Sequence, residues 1–280
     1  MSEADPFSPS DGLIPPALPA VDAVPRKGSA LAGFFIDLAI AIAVMVVMSL
    51  LASAAWGVLR VVQVVAQEGI DPSDAAALTR AIGQPGGLAM IWITLIGTGS
   101  AALVPYLFRR RASVAERAAS RAALRRGSTW GWVALTALAV FALSALVTTL
   151  GKQVGIEPEP TNQEPIKQAF AASPWFVGLF VVLIAPMYEE LLFRRVLFGR
   201  LWAAGRPWLG LCLSGFAFAL MHEPPGLTGN SGSAVLLLWV VYAGMGMAFA
   251  WVYRRTGTLW ASIAAHALNN ALAILILGTA

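Results

Sequence analysis

Residues 185–195 read APMYEELLFRR, and they set Glu189, Glu190, Arg194 and Arg195 inside a run that otherwise has the composition of a membrane-spanning helix. Glu190 and Arg194 are four apart with the acid on the amino side, the favourable order for a helical ion pair. Glu189 is rotated from Glu190 by about 100°, so the same arginine serves it less well. An adjacent carboxylate and a dry setting are the conditions under which a glutamate works as a general base near neutral pH. Pro186 removes a backbone donor just upstream and predicts a kink.

Two further stretches carry chemistry. In FAFALMHEPPG, Phe218 and His222 stand four apart, and Pro224, Pro225 and Gly226 end the helix, which holds an imidazole near a helix terminus. In HALNNA, His266 and Asn270 are again four apart and present an imidazole beside a carboxamide, a pair able to donate hydrogen bonds to one small oxygen. Each piece alone has an ordinary explanation: a structural ion pair, an interfacial histidine, an interhelical hydrogen bond. Burying an ionisable group in a bilayer costs roughly 2.5–3.5 kcal/mol on insertion scales. Several such groups on three successive helices therefore imply a compensating use.

The elements that must position them follow from composition. The chain is 58% hydrophobic and 12% charged, a balance foreign to soluble domains. At about 20 apolar residues per crossing, the sequence predicts an all-α polytopic transmembrane bundle of seven spans, or eight, near 31–59, 87–108, 130–150, 174–193, 208–222, 234–253 and 258–277. A proline-rich cytoplasmic tail over 1–28, expected to be disordered, precedes the spans and lacks the form of a cleavable signal peptide. The organisation expected is three amino-terminal helices within 29–151, an external solvated loop over 152–172 and a core over 173–280 that holds both histidines. Of the 19 lysines and arginines, 15 fall on one side, from Arg26 and Lys27 through the loop 109–126 to Arg254 and Arg255. That asymmetry predicts a cytoplasmic amino terminus and an external carboxyl terminus, and it would turn any polar cavity among these groups toward the cytoplasm. The basic loop flanks two spans, so lipid headgroups account for it and nucleic acid is not an expected partner. Asp37 is expected at a wet helix end, and Cys212, the single cysteine, is expected to pack inside an apolar run. Gly244 and Ala248, four apart, predict a close helix approach.

Glu-Glu-x-x-x-Arg at 189–194, Phe-x-x-x-His at 218–222 and His-x-x-x-Asn at 266–270, in that order, resemble the type II CAAX prenyl endopeptidase and bacteriocin-processing family of intramembrane proteases, known as CPBP or Abi. The resemblance covers about residues 173–280. Arg195 departs from it, standing where a small residue such as glycine is expected. The resemblance implies a bacterial inner-membrane endopeptidase acting on a membrane-associated or prenylated protein or peptide. Glu189 and His222 would activate water, His266 and Asn270 would stabilise the oxyanion, and Glu190, Arg194 and Phe218 would support them. The family is often labelled metalloprotease, and Glu189, His222 and His266 could supply three zinc ligands. The sequence has no His-Glu-x-x-His, and zinc would leave only the paired Glu190 as base, so no cofactor is the favoured reading and zinc the alternative. A transporter or proton relay, or a bacteriocin-immunity scaffold, would also use intramembrane polar groups; the unequal polarity of the two halves and the complete motif set favour the protease. One tension stands: these span ends put His222 near the outer boundary and Glu189 nearer the cytoplasmic one.

Overall fold

The structure is a computed structural model that describes residues 29–277. The tail expected over 1–28, with Arg26 and Lys27, lies outside the described residues. Every regular element among the described residues is helical. The first is α1, Ala30–Glu68, begun by the Ser29 hydroxyl accepting from the Ala32 amide and ended by left-handed Gly69. The short α2, Ala75–Ile82, leads to α3, Gly87–Arg109. After α4, Val114–Leu124, and α5, Gly127–Gln153, comes α6, Gln163–Ala172. Then α7 runs over Pro174–Ala203, α8 over Pro207–His222, α9 over Gly232–Thr256 and α10 over Leu259–Leu277.

Six of these helices are long and apolar enough to cross a membrane, so the chain is an integral membrane helical bundle. The span expected at 208–222 is the exception. At 16 residues it reaches only about 24 Å, short of a bilayer core of about 30 Å. The chain there starts at the basic end, and the residue after its last turn, Glu223, bonds to Thr161 in the connection between α5 and α6. The fourth span continues ten residues beyond its expected end, to Ala203. Both corrections remove the depth conflict. Glu189 lies 14 residues from the end of α7 and His222 lies 15 from the start of α8, so each sits about 20 Å from the basic end.

Other expectations change for identifiable reasons. Much of the loop expected at 152–172 is α6, which packs on α3: Ala169 is fully buried, and a Cβ on Gly87 would meet its backbone nitrogen at 2.5 Å. Asp37 is not solvated. It is completely buried and paired with both Arg109 and Arg200, because α3 and α7 end beside the start of α1. Cys212 is exposed on the outer side of α8 rather than packed within. The basic loop contains α4, opened by a reciprocal capping box between Ser113 and Glu116. The expected close approach at Gly244 is present: a Cβ there would stand 2.5 Å from Leu143 of α5. Gly246 and Gly215 likewise bring α9 against α8, since a Cβ on Gly246 would lie 2.7 Å from the Gly215 Cα.

Candidate active site

The chemistry-bearing residues converge. Glu189 comes from α7, His222 from α8, and His266 and Asn270 from α10. One oxygen of Glu189, Oε2, lies 4.0 Å from Nε2 of His222 and 3.8 Å from Nε2 of His266. The side chains of Glu189 and His222 retain 19% and 17% exposure, whereas that of His266 retains 4%. The first two are thus partly exposed, and the third is buried.

Both imidazoles are oriented through Nδ1. That of His222 is 2.9 Å from the Phe218 carbonyl, which can only accept, so Nδ1 carries the hydrogen and Nε2 is left free toward Glu189. The His222 ring lies 4.2 Å from Phe218 and stacks at 4.6 Å on Tyr242 of α9. His266 Nδ1 is 2.9 Å from Glu190, and its ring stacks at 4.7 Å on Phe249. Glu190 is therefore more than the partner of Arg194. It is wholly buried, pairs with Arg194 at 2.8 Å, holds His266 and accepts a hydrogen bond from the Ser262 hydroxyl. The Arg194 guanidinium lies over the Phe218 ring at 4.8 Å and within 5.7 Å of Phe193 and Phe249. Ring faces take the place of further acceptors there. Phe218, fully buried, thus touches Arg194 and both histidines.

Asn270 serves a bond whose need arises in α7. The turn over Phe180–Ile184 is widened so that the Ala185 amide donates to Phe180 rather than Val181. The next residue, Pro186, has no N–H, which leaves the Val181 carbonyl without a backbone donor. Asn270 Nδ2 donates to it at 2.9 Å. One of its two amide hydrogens is therefore committed, and the second remains for a ligand. Arg195 points away from this centre. Its guanidinium makes two 2.8 Å bonds to Glu116, and its Nε donates to the Arg110 carbonyl at 3.2 Å. Sequence reasoning missed Ser262, Tyr242 and Glu116, and also Glu223, which follows His222 and is fully buried. A carboxylate beside His222 in the sequence was the available signal for the last.

Glu189, His222 and His266 also fit zinc in donor chemistry, because both imidazoles have Nδ1 engaged and Nε2 free, as metal-bound histidines do. Two ligands of a tetrahedral zinc at about 2.0 Å stand about 3.3 Å apart; Glu189 lies farther than that from both imidazoles, and no cluster of three such side chains among the described residues is gathered closely enough to hold an ion.

A sequence model of the family described as type II CAAX prenyl endopeptidase Rce1-like matches residues 171–272. Among curated proteins, "Putative membrane peptidase YdiL" of Bacillus subtilis (strain 168) is 27% identical over 122 residues. That match covers 44% of this chain and 45% of the relative, so it spans somewhat less than half of either. No solved structure matches. The three motifs all lie inside the stretch over which this chain is similar to the Rce1-like type II CAAX prenyl endopeptidase family.

Proposed function

We propose that the protein is an intramembrane endopeptidase that hydrolyses a peptide bond of a membrane-associated or prenylated protein or peptide, using water activated by Glu189 and His222. The observation that carries this reading is the approach of two imidazole Nε2 atoms to one oxygen of Glu189, at 4.0 and 3.8 Å, inside a membrane bundle. A water among these groups gives a proton to Glu189 as its oxygen bonds to the scissile carbonyl carbon. The free Nε2 of His222 orients that water. The carbonyl oxygen becomes an oxyanion, which accepts from the second N–H of Asn270 and from Nε2–H of a protonated His266 whose charge Glu190 balances from the Nδ1 side. When the intermediate collapses, the C–N bond breaks and Glu189 passes its proton to the leaving nitrogen.

If zinc binds, Glu189, His222 and His266 would hold it, and it would polarise the water. We favour the metal-free route because Glu190, committed to Arg194, Ser262 and His266, could not replace Glu189 as base. Activity lost to a zinc chelator and restored by zinc would reverse that preference. The amino terminus is assigned to the cytoplasm and the membrane to a bacterial inner membrane, on the charge asymmetry and the family. The deciding experiment compares purified, reconstituted wild type with Glu189→Ala and His222→Ala on candidate membrane peptides. Each substitution is expected to lower turnover by at least about 10²-fold; unchanged turnover in either removes that residue from the mechanism.

A further inference from the structure

His222 is the last residue of α8, and the final turn of a helix is where fraying is easiest. Pro224 and Pro225 follow one residue later and cannot continue the helix. Something else must hold that turn. Glu223, between His222 and Pro224, is 0% exposed and is fixed at four points. Its amide donates to the Ala219 carbonyl at 3.0 Å, and its own carbonyl accepts from Nε1 of Trp239 at 2.8 Å. Its carboxylate accepts twice from one residue: from the Thr161 amide at 2.7 Å and from the Thr161 hydroxyl at 2.6 Å. A second rung lies beside the first, where Glu159 and Asn230 exchange hydrogen bonds of 3.1 and 2.7 Å.

We infer that Thr161 and Glu223 are a positioning pair that clamps the end of α8 and so fixes His222 against Glu189, an inference that rests on the proteolytic reading. Neither residue touches the reacting atoms. Thr161 lies in the connection between α5 and α6, before the stretch 171–272 that matches the family. A segment outside the matched stretch therefore contributes to the geometry of the candidate site. Losing the hydroxyl donor leaves a buried carboxylate short of a charge-assisted bond, and the cheapest relief is for Glu223 to turn toward water, which unwinds the turn that carries His222.

The test uses the full chain in zwitterionic vesicles, with Thr161→Val, Glu223→Gln and the conservative Thr161→Ser. Thr161→Val is expected to lower kcat about tenfold with KM unchanged, Glu223→Gln to act in the same direction, and Thr161→Ser to restore wild-type kcat. A second readout needs no substrate. The chain has only two histidines, so diethyl pyrocarbonate labelling followed by peptide mapping reports each separately. Thr161→Val should speed labelling of His222 severalfold and leave His266 unchanged. Equal labelling of His222 in wild type and Thr161→Val, or parallel acceleration of both histidines, overturns the inference. If wild type and Glu189→Ala cleave alike, the proteolytic reading fails, and the labelling rates still decide whether the pair positions His222.

Discussion

Glu190 is held at both of its carboxylate oxygens. It sits at zero exposure with Arg194, Ser262 and His266 all directed at its two oxygens. Removing the arginine would strand a buried carboxylate, and breaking such a pair costs about 3–5 kcal/mol. Arg194→Ala is accordingly expected to lower the thermal unfolding midpoint in detergent far more than a change at lipid-facing Cys212, which differential scanning fluorimetry would show. The pair with Arg194 was legible in the sequence because both residues share one helix at a spacing of four. The bonds from Ser262 and His266 were not, since they join residues 72 and 76 apart and no local pattern encodes them. Asn270 was legible as a polar group in a span but not as the donor to Val181, because that carbonyl is freed only by the widened turn ahead of Pro186.

Among the elements, α4 shows how an unexpected residue can be explained by an unexpected helix. Arg195 breaks the family pattern, and its guanidinium is the anchor that docks α4 through Glu116. A second contact, between the hydroxyls of Ser120 and Thr258, ties α4 to the start of α10. Burial works against ionisation of Glu116, but the Arg195 contact and the Ser113 amide outweigh it and hold its carboxyl below the usual range. Because the folded value is depressed, the stabilisation is complete above the ordinary carboxylate range and is lost as pH falls through the depressed value. Thermal unfolding followed from about pH 6 to about pH 3.5 should show a falling midpoint in wild type and a shallower fall in Glu116→Gln. The sequence disclosed the charge of this segment but not its helix, because a short run of Ala and Arg between two spans reads equally as a basic loop. The short α8 was legible as apolar, yet its true length mattered more than its composition.

For the whole molecule, the described contacts place the start of α1, the end of α3, α4 and the end of α7 together at one basic end, through Asp37 with Arg109 and Arg200 and through Glu116 with Arg195. The opposite end is joined by the rungs at Thr161 and Asn230. With the amino terminus cytoplasmic, a reporter active only outside the membrane should be active when fused after Gly69 or Gly155 and silent after Arg125 or Gly257. The reverse pattern would invert the assigned orientation. That α8, with 16 residues, is shorter than the bilayer core while Trp208, Cys212 and Phe216 along it face outward bears on the lipid itself. Acyl chains beside this helix meet too little apolar height, so the bilayer dips on that flank. Longer acyl chains resist the dip. In vesicles of one headgroup and increasing chain length, peptide cleavage should slow steadily, and a flat rate profile would show that the bilayer does not deform there.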